Sequence, residues 1–415
     1  MHPADGSRGD GPLRILQLNK DFPYPPTNGA EVRSWKMAEW LAARGDLYLA
    51  CPYRDGERPP GMTLVPFESR LTRHKALFND GYFGLFAVSD RHPLSRRLTR
   101  SVVRRVRGLD VSFDLVVTES PQLVDAGIEI ARQHDAALLV NKHNAYHALL
   151  DQWLESTPVP GPVRRRAVAN LRRAEQRGVD AADVVVFQSE DDPAGFDVDG
   201  VRTAVIPNGT DVDDLTAGGD ADRLRRDLGI RPDAPVAAFV GSFDWDANRA
   251  AARRIVDELS PALPEVEFLL AGRNPPDASH RPNVHAPGFV DHLPDVFALA
   301  DVALCPLSFG SGTKLKMLDY LAAGLPIVTT PVGAQGIPVE DDVHALIRDD
   351  DAGMVEAIEA LLADAERRER LAANARDLGE RYDWAELFAA YEDLLPLGDP
   401  GETTSDDGDA LVTSP

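Results

Sequence analysis

Two lysines stand where an anion could use them. Lys314 and Lys316 follow Gly310-Ser-Gly-Thr313, and an apolar run with helical spacing continues from Leu315 to Ala323. Gly324-Leu-Pro326 stops that run, and the β-branched Ile327-Val328 behind it reads as a strand. A helix that opens behind such a loop presents free backbone N–H groups and the positive end of its dipole to whatever sits above it. Cations in the first turn oppose that dipole, so local stability does not favour two of them there. A phosphate or diphosphate would. Only six of the 44 Lys and Arg residues are lysine, and these are two of the six. The competing reading is an ordinary strand-to-helix loop with solvated lysines.

Other residues could join them. Val140-Asn-Lys-His-Asn-Ala-Tyr146 puts His143 just past a strand, where open α/β sheets bind ligands, with His147 as the second candidate. An imidazole there can donate or accept a hydrogen bond near neutral pH. Gly29, in Pro25-Pro-Thr-Asn-Gly-Ala30, lets a ligand approach the backbone closely. In Phe239-Val-Gly-Ser-Phe-Asp-Trp-Asp-Ala-Asn248, Gly241 and Ser242 end a strand and Asn248 is placed to cap the next helix. Asp244-Trp-Asp246 also has the Asp-x-Asp form of some metal sites, but the form recurs at 197–199 and 211–213, as chance allows in so acidic a chain. No His, Cys and Asp cluster has metal spacing, so no metal and no cofactor are expected.

The elements that must position these residues alternate along the chain. Short apolar runs at 14–18, 47–51, 64–67, 115–118, 137–140 and 184–187 are separated by helical stretches, and a second series follows at 236–240, 267–270, 302–304 and 327–328. This is the pattern of parallel sheets covered by helices on both faces. Two such series predict an α/β protein with two Rossmann-like domains facing each other across a cleft. The predicted limits are 12–205 for an N-terminal acceptor domain and 206–378 for a C-terminal donor domain. A final helix at 379–397 and a disordered acidic tail at 398–415 complete the chain.

These motifs together resemble the retaining, nucleotide-sugar-dependent glycosyltransferases of GT-B fold, the group 1 or family 4 type. That family places two glutamates eight positions apart around a glycine-rich loop. Asp319 falls at the second of these positions and Ser311 at the first, so one carboxylate is missing. Gly-Ser-Gly-Thr-Lys-Leu-Lys316 resembles a branch with a Gly/Lys loop instead, and the Trp and Asn of the 239–248 segment resemble the same branch. The resemblance implies that Gly29, Gly241, Ser242, Gly312, Thr313, Lys314 and Lys316 surround a donor diphosphate, with Arg249 as a possible further cation. It implies that Asp319 meets the ribose, and that Val284-His-Ala-Pro-Gly-Phe-Val290 brings Phe289 and Val290 to the base, although Phe289 suits a core equally well. His143 and Lys316 would be the catalytic residues. Pro207-Asn-Gly209 with Asp211 resembles the turn at the family's domain join, and the final helix would return to the first domain. The implied reaction is metal-independent hexosyl transfer to a glycan or lipid-linked acceptor in surface polysaccharide, glycolipid or protein-glycan assembly. A nucleotide-sugar epimerase and a non-catalytic nucleotide-sugar binder are the alternatives.

Composition sets the boundaries. The 415 residues are 43% hydrophobic, enough for two or three cores. No apolar run of about 18 residues spans a membrane, and the first ten residues lack an apolar signal core, so a cytoplasmic location is expected. Cys51 and Cys305 are the only cysteines and end separate strand-like runs, which argues against a disulfide. A net charge of −23 argues against nucleic-acid binding and reads either as adaptation to a salty (halophilic) cytoplasm or as plain acidity. Against it stand Arg91, Arg96, Arg97, Arg100, Arg104, Arg105 and Arg107, and a second group of Arg164, Arg165, Arg166, Arg172, Arg173 and Arg177. They are either solvated helix faces or a surface for the inner face of an anionic membrane and a lipid-phosphate acceptor.

Overall fold

The computed structural model describes residues 12–24, 26, 29–52, 61–67, 93–155, 159–190, 192–310 and 312–395. The 398–415 segment, Ser311 and Arg91 lie outside them. Two all-parallel sheets carry the described chain. The first holds β1 (Leu13–Leu18), β2 (Gly45–Cys51), β3 (Thr63–Pro66), β4 (Leu115–Thr118), β5 (Ala137–Asn141), β6 (Val184–Phe187) and β7 (Arg202–Val205) in the order β3-β2-β1-β4-β5-β6-β7. The second holds β8 (Val236–Val240), β9 (Glu267–Ala271), β10 (Val284–Gly288), β11 (Val302–Cys305), β12 (Ile327–Thr329) and β13 (Leu346–Ile347) in the order β10-β9-β8-β11-β12-β13. Both orders reverse direction once, between β1 and β4 and between β8 and β11. At such a switch point two loops diverge and leave a crevice beyond the carboxyl ends of the strands. Two Rossmann-like halves are therefore present, in agreement with the expected fold class. β7, β10 and β13 go beyond the sequence reading.

The strands form because short runs such as Leu115-Val-Val-Thr118 and Val302-Ala-Leu-Cys305 are buried on both faces, which continuous rather than alternating hydrophobicity allows. The helices used below are α1 (Gly29–Ala42), α2 (Pro93–Arg107), α3 (Val124–His134), α4 (Tyr146–Glu155), α5 (Gly161–Ala181), α6 (Ala221–Leu228), α7 (Asp246–Arg254), α8 (Leu293–Leu299), α9 (Leu315–Ala322), α10 (Asp351–Ala363), α11 (Ala365–Gly379) and α12 (Trp384–Leu394). One face of the first sheet packs its Leu16, Leu18, Val116 and Val140 on α2 and α3. The other packs Ile15, Val117 and Leu139 on α1 and on Trp384, Phe388 and Tyr391 of α12. The last helix of the chain thus closes the core of the first half. Each of those three rings contributes about 1.5–3 kcal/mol of burial.

Cys51 and Cys305 are both free and buried. No helix among the described residues is long and apolar enough to cross a membrane.

Candidate active site

The site builds from the switch point of the second sheet. After β8 the chain turns at Gly241, and after β11 it runs through Gly310–Lys314 into α9. α9 is amphipathic, burying Met317, Leu318, Tyr320 and Leu321. Its Tyr320 hydroxyl accepts from Val240 N at 2.8 Å, which ties the helix to the end of β8. Gly324, with φ of +64°, lets the chain leave the helix where an L side chain would be strained. Lys314 precedes the first helical residue and no side chain caps the N-terminus, so the first N–H groups lack a side-chain acceptor.

Lys316 lies across this opening. Its Nζ is 2.5 Å from Asn248 Oδ1 and 4.2 Å from the centroid of the Phe239 ring. A Cβ at residue 241 would stand 2.8 Å from that Nζ and 2.9 Å from Asn248 Nδ2, so a larger residue would push the ammonium from this position. Lys314 Nζ reaches Gly312 O at 2.5 Å. Neither lysine has a carboxylate within ion-pair distance among the described residues. Burial pushes the Lys316 ammonium down to about 8, against the pull of Cys305 and Asp319, and burial lowers Lys314 as well. An unpaired, partly desolvated cation of this kind gains most from an arriving anion.

Asp319 sits on the same helix. Its Oδ1 accepts from Thr210 Oγ1 at 2.7 Å, and burial raises its carboxyl to about 7. Thr210 belongs to the segment joining the halves: its N–H donates to Tyr382 O at 2.8 Å, and its carbonyl accepts from Trp384 N at 3.1 Å.

The first half meets this opening at two points. A Cβ on Gly29 would lie 2.9 Å from Leu315 Cδ1, and one on Gly312 would lie 3.7 Å from Asn144 Oδ1. The loop after β1 and the loop after β5 thus face the start of α9. His143, beside Asn144, is buried, and its Nε2 is 2.6 Å from Glu119 Oε2. Asn141 Nδ2 donates to the same oxygen at 3.1 Å, and Gln17 Nε2 lies 3.4 Å from Glu119 Oε1. Glu119 follows β4 at the first sheet's switch point, and these donors hold it in place. Nε2 is thereby engaged, leaving Nδ1 as the other polar atom of the His143 ring.

His147 is placed differently. Its Nδ1 pairs with Glu175 Oε2 at 2.9 Å, and Lys142 Nζ pairs with Glu175 Oε1 at 2.7 Å. Burial alone would raise the Glu175 carboxyl, but Lys142 and His147 outweigh it and lower it. This hub lies on the opposite face of the sheet from Glu119, among Val124, Val140 and Tyr146.

The structure brings Gly29, Gly241, Gly312, Lys314, Lys316 and the His143 segment to one crevice. Ser242 flanks it, its carbonyl accepting from Asn248 Nδ2 at 2.8 Å. Thr313 lies beside the lysines, with Oγ1 3.3 Å from Gly336 O. Three details differ from expectation. The Gly241 N–H already donates to Ala271 O at 3.0 Å, so it is not free for a ligand. Asn248 lies inside α7, where it seats Lys316 and caps nothing. Arg249 is held by Phe243 O and Asp246. Phe289 settles its open alternative: it is 66% exposed beyond β10, with the Arg273 guanidinium 5.8 Å from its ring centroid, while Val290 packs on the core. Trp245 and Phe309, 58% and 49% exposed in the loops after β8 and β11, stand on the same rim. Among the described residues no cluster of three His, Cys, Asp or Glu side chains could hold a metal.

The arginine groups lie on α2 and α5. Arg107 pairs with Glu129, Arg164 with Asp151 and Glu155, and Arg177 with Asp125. Arg97, Arg100, Arg104, Arg105, Arg165, Arg166 and Arg172 are exposed and make no ion pair among the described residues.

Comparison with known proteins places this geometry. Residues 234–364 match the family model described as glycosyl transferases group 1. The chain is 30% identical over 314 residues to a D-inositol 3-phosphate glycosyltransferase of Xylanimonas cellulosilytica, covering 68% of this chain and 71% of that protein. A protein of the same name from Corynebacterium kroppenstedtii is 28% identical over 260 residues, 55% of this chain, and the chain spans only 57% of its length. Sucrose-phosphate synthase from Thermosynechococcus elongatus has the same fold, with a TM-score of 0.69 at 18% identity over 92% of this chain and 98% of that one. The two facing Rossmann-like halves, the lysine-bearing loop and these similarities agree: the chain belongs to the group 1, or family 4, glycosyltransferases of GT-B fold.

Proposed function

We propose that the protein is a retaining, metal-independent hexosyltransferase that moves a sugar from a nucleoside-diphosphate sugar to a glycan or lipid-phosphate acceptor. The observation that carries this reading is the unpaired Lys316 ammonium, seated over Gly241 at the uncapped start of α9. The donor diphosphate lies there, between Lys316, Lys314, Thr313 and the loop of Gly29. Positive charge fixed in advance stabilises the departing diphosphate as its charge develops. Asp319 accepts from the ribose, and Phe289 offers its exposed face to the base. His143 stands opposite, fixed by Glu119, and contacts the transferred sugar. Among the described residues the crevice offers no carboxylate positioned as a nucleophile, so the acceptor attacks on the face that the diphosphate leaves. Closure of the halves excludes water.

The acceptor enters over the first half. The relatives named above act, by name, on an inositol phosphate, and the unpaired arginines of α2 and α5 suit a phosphate-bearing or membrane-proximal acceptor. A peripheral contact with an anionic membrane from the cytoplasmic side follows from the same arginines. The −23 charge is then a surface suited to high salt.

The test is a thermal-shift screen of nucleoside-diphosphate sugars in low and molar salt, followed by product analysis with and without acceptor. A matching donor at a hundredfold excess over its Kd stabilises the protein by about 2.7 kcal/mol. Sugar conversion with donor alone would mean an epimerase, and binding without turnover would mean a non-catalytic protein.

A further inference from the structure

Arg33 is among the largest side chains buried to 0% exposure, and no carboxylate lies within ion-pair distance of it among the described residues. A buried guanidinium is costly unless every donor is satisfied, and a well-packed apolar side chain serves stability alone at least as well. Its partners show what it holds. Nη2 donates to Ile206 O at 2.9 Å and Nη1 to Pro207 O at 2.7 Å, both on the segment that leaves the first sheet. Nη2 also donates to the Tyr391 hydroxyl at 3.2 Å, on the helix that returns to that sheet. Arg33 therefore fastens both of the segments by which the halves are joined.

The hydrogen bonds continue inward in one sense. Tyr391 OH donates to Asn141 Oδ1 at 3.3 Å, Asn141 Nδ2 donates to Glu119 Oε2 at 3.1 Å, and the same carboxylate holds His143 Nε2 at 2.6 Å. Burial pushes the Tyr391 phenol up to about 12, so it stays a donor at any working pH. A second strand runs in parallel. With its amide nitrogen facing His143 O at 3.1 Å, Gln188 accepts from Arg33 Nε at 3.2 Å.

We propose that Tyr391, held by Arg33, is a positioning residue for His143, so that the segments joining the two halves set the geometry of the imidazole. The proposal rests on the reading of His143 as a sugar contact given above. The Tyr391 hydroxyl fixes which way the Asn141 amide faces, and that amide helps fix the Glu119 carboxylate. A rotation of the halves turns on residues 206–210 and 380–384, and it reaches the imidazole through these bonds. Closure and the alignment of His143 are then one event.

The experiment uses the full chain labelled with 15N-histidine and the Tyr391→Phe variant, which keeps the ring between Trp40 and Phe388. The expected result is a shift of the His143 ring-nitrogen resonances. kcat falls between roughly tenfold and a hundredfold, the range for a misplaced group, while KM for the donor stays within about twofold. In a His143→Ala background the same change has no further effect, whereas a structural role would give additive losses. Arg33→Lys, which keeps the charge but not the fork, shifts the same resonances. Unmoved His143 resonances in Tyr391→Phe, with His143→Ala impaired but measurable, overturn the relay alone. Normal turnover in His143→Ala overturns the reading of His143 itself.

Discussion

The two halves share a strand order but treat charge in opposite ways. At the switch point of the first sheet the two buried acids have partners inside the protein: Glu119 with His143, Asn141 and Gln17, and Glu175 with Lys142 and His147. At the switch point of the second sheet, among the described residues, Lys314 and Lys316 have only carbonyl and amide oxygens as partners, and Asp319 has only a hydroxyl. The charges of the first end are matched as folded, although Gln17 Oε1, Asn19 Nδ2, Thr118 Oγ1 and Ser120 Oγ there are buried without a hydrogen-bond partner among the described residues. The second is balanced only when something negative arrives at the lysines and something with hydroxyls arrives at the aspartate. A nucleoside-diphosphate sugar has both.

The strongest way to break this contrast is Lys316→Ala. Removing a preorganised cation from the proposed leaving-group site should cut kcat/KM on the order of 10³-fold, about 4 kcal/mol. The melting temperature should stay level or rise, because an unpaired, desolvated charge is lost with the side chain. Steady-state kinetics beside calorimetry reads both. Near-normal turnover would remove Lys316 from the site, and a large loss of stability would make it a structural residue.

Glu175→Ala tests the other half and should do the reverse. It strands Lys142 with its ammonium 4.2 Å from the Phe196 ring centroid and frees His147. Breaking a buried pair from one side costs about 3 kcal/mol of stability. Turnover per folded molecule should change little, since the hub lies on the far face of the sheet from Glu119. A chemical-denaturation midpoint that does not move would mean that the first half is less self-sufficient than its geometry implies.

The contrast also governs what the sequence could reveal. The strand runs were legible because parallel strands buried on both faces are short blocks of Val, Leu and Ala, and 115–118 and 236–240 appear as such. β13 is a two-residue strand whose existence depends on pairing with β12, which no local pattern encodes. Lys314 and Lys316 were legible because they break a local rule, cations at a helix N-terminus. Glu119 breaks none. It is one acid among 67 Asp and Glu residues, although its place just past β4 is the argument that singled out His143. Glu175 reads as an acid diluting an arginine run. The signal that it faces inward is its spacing with Leu171, Ala174, Gly178 and Val179, all buried. Arg33 gives no local sign at all, because its acceptors lie about 170 and 360 residues away in sequence.

The smallest of these effects is the sharpest in form. In the proposed donor complex the ionised Asp319 is the stronger acceptor for a ribose hydroxyl, and burial raises its carboxyl to about 7. In the same proposal Lys316 holds the diphosphate as an ammonium, and burial lowers that ammonium to about 8. Since kcat/KM reports the free enzyme's groups, its profile for the donor should be a narrow bell, rising through pH 7 and falling above 8 by about tenfold per pH unit. Asp319→Asn should flatten the acid limb and leave the basic one. Stability of the free protein runs the other way. The raised carboxyl binds more protons folded than unfolded between its ordinary 3.8 and about 7, so its contribution falls as pH rises through that window. The lowered lysine binds fewer protons folded than unfolded between about 8 and 10.5, so its contribution recovers only above 8. Between the two windows both charges are present and neither is compensated, and the proposed donor site should be most active there. Donor binding relieves both costs at once, so the thermal shift it produces should peak in the same interval. A ligand shift and a rate profile both flat across the interval would show that neither group meets the donor, and the second half would then be as self-contained as the first.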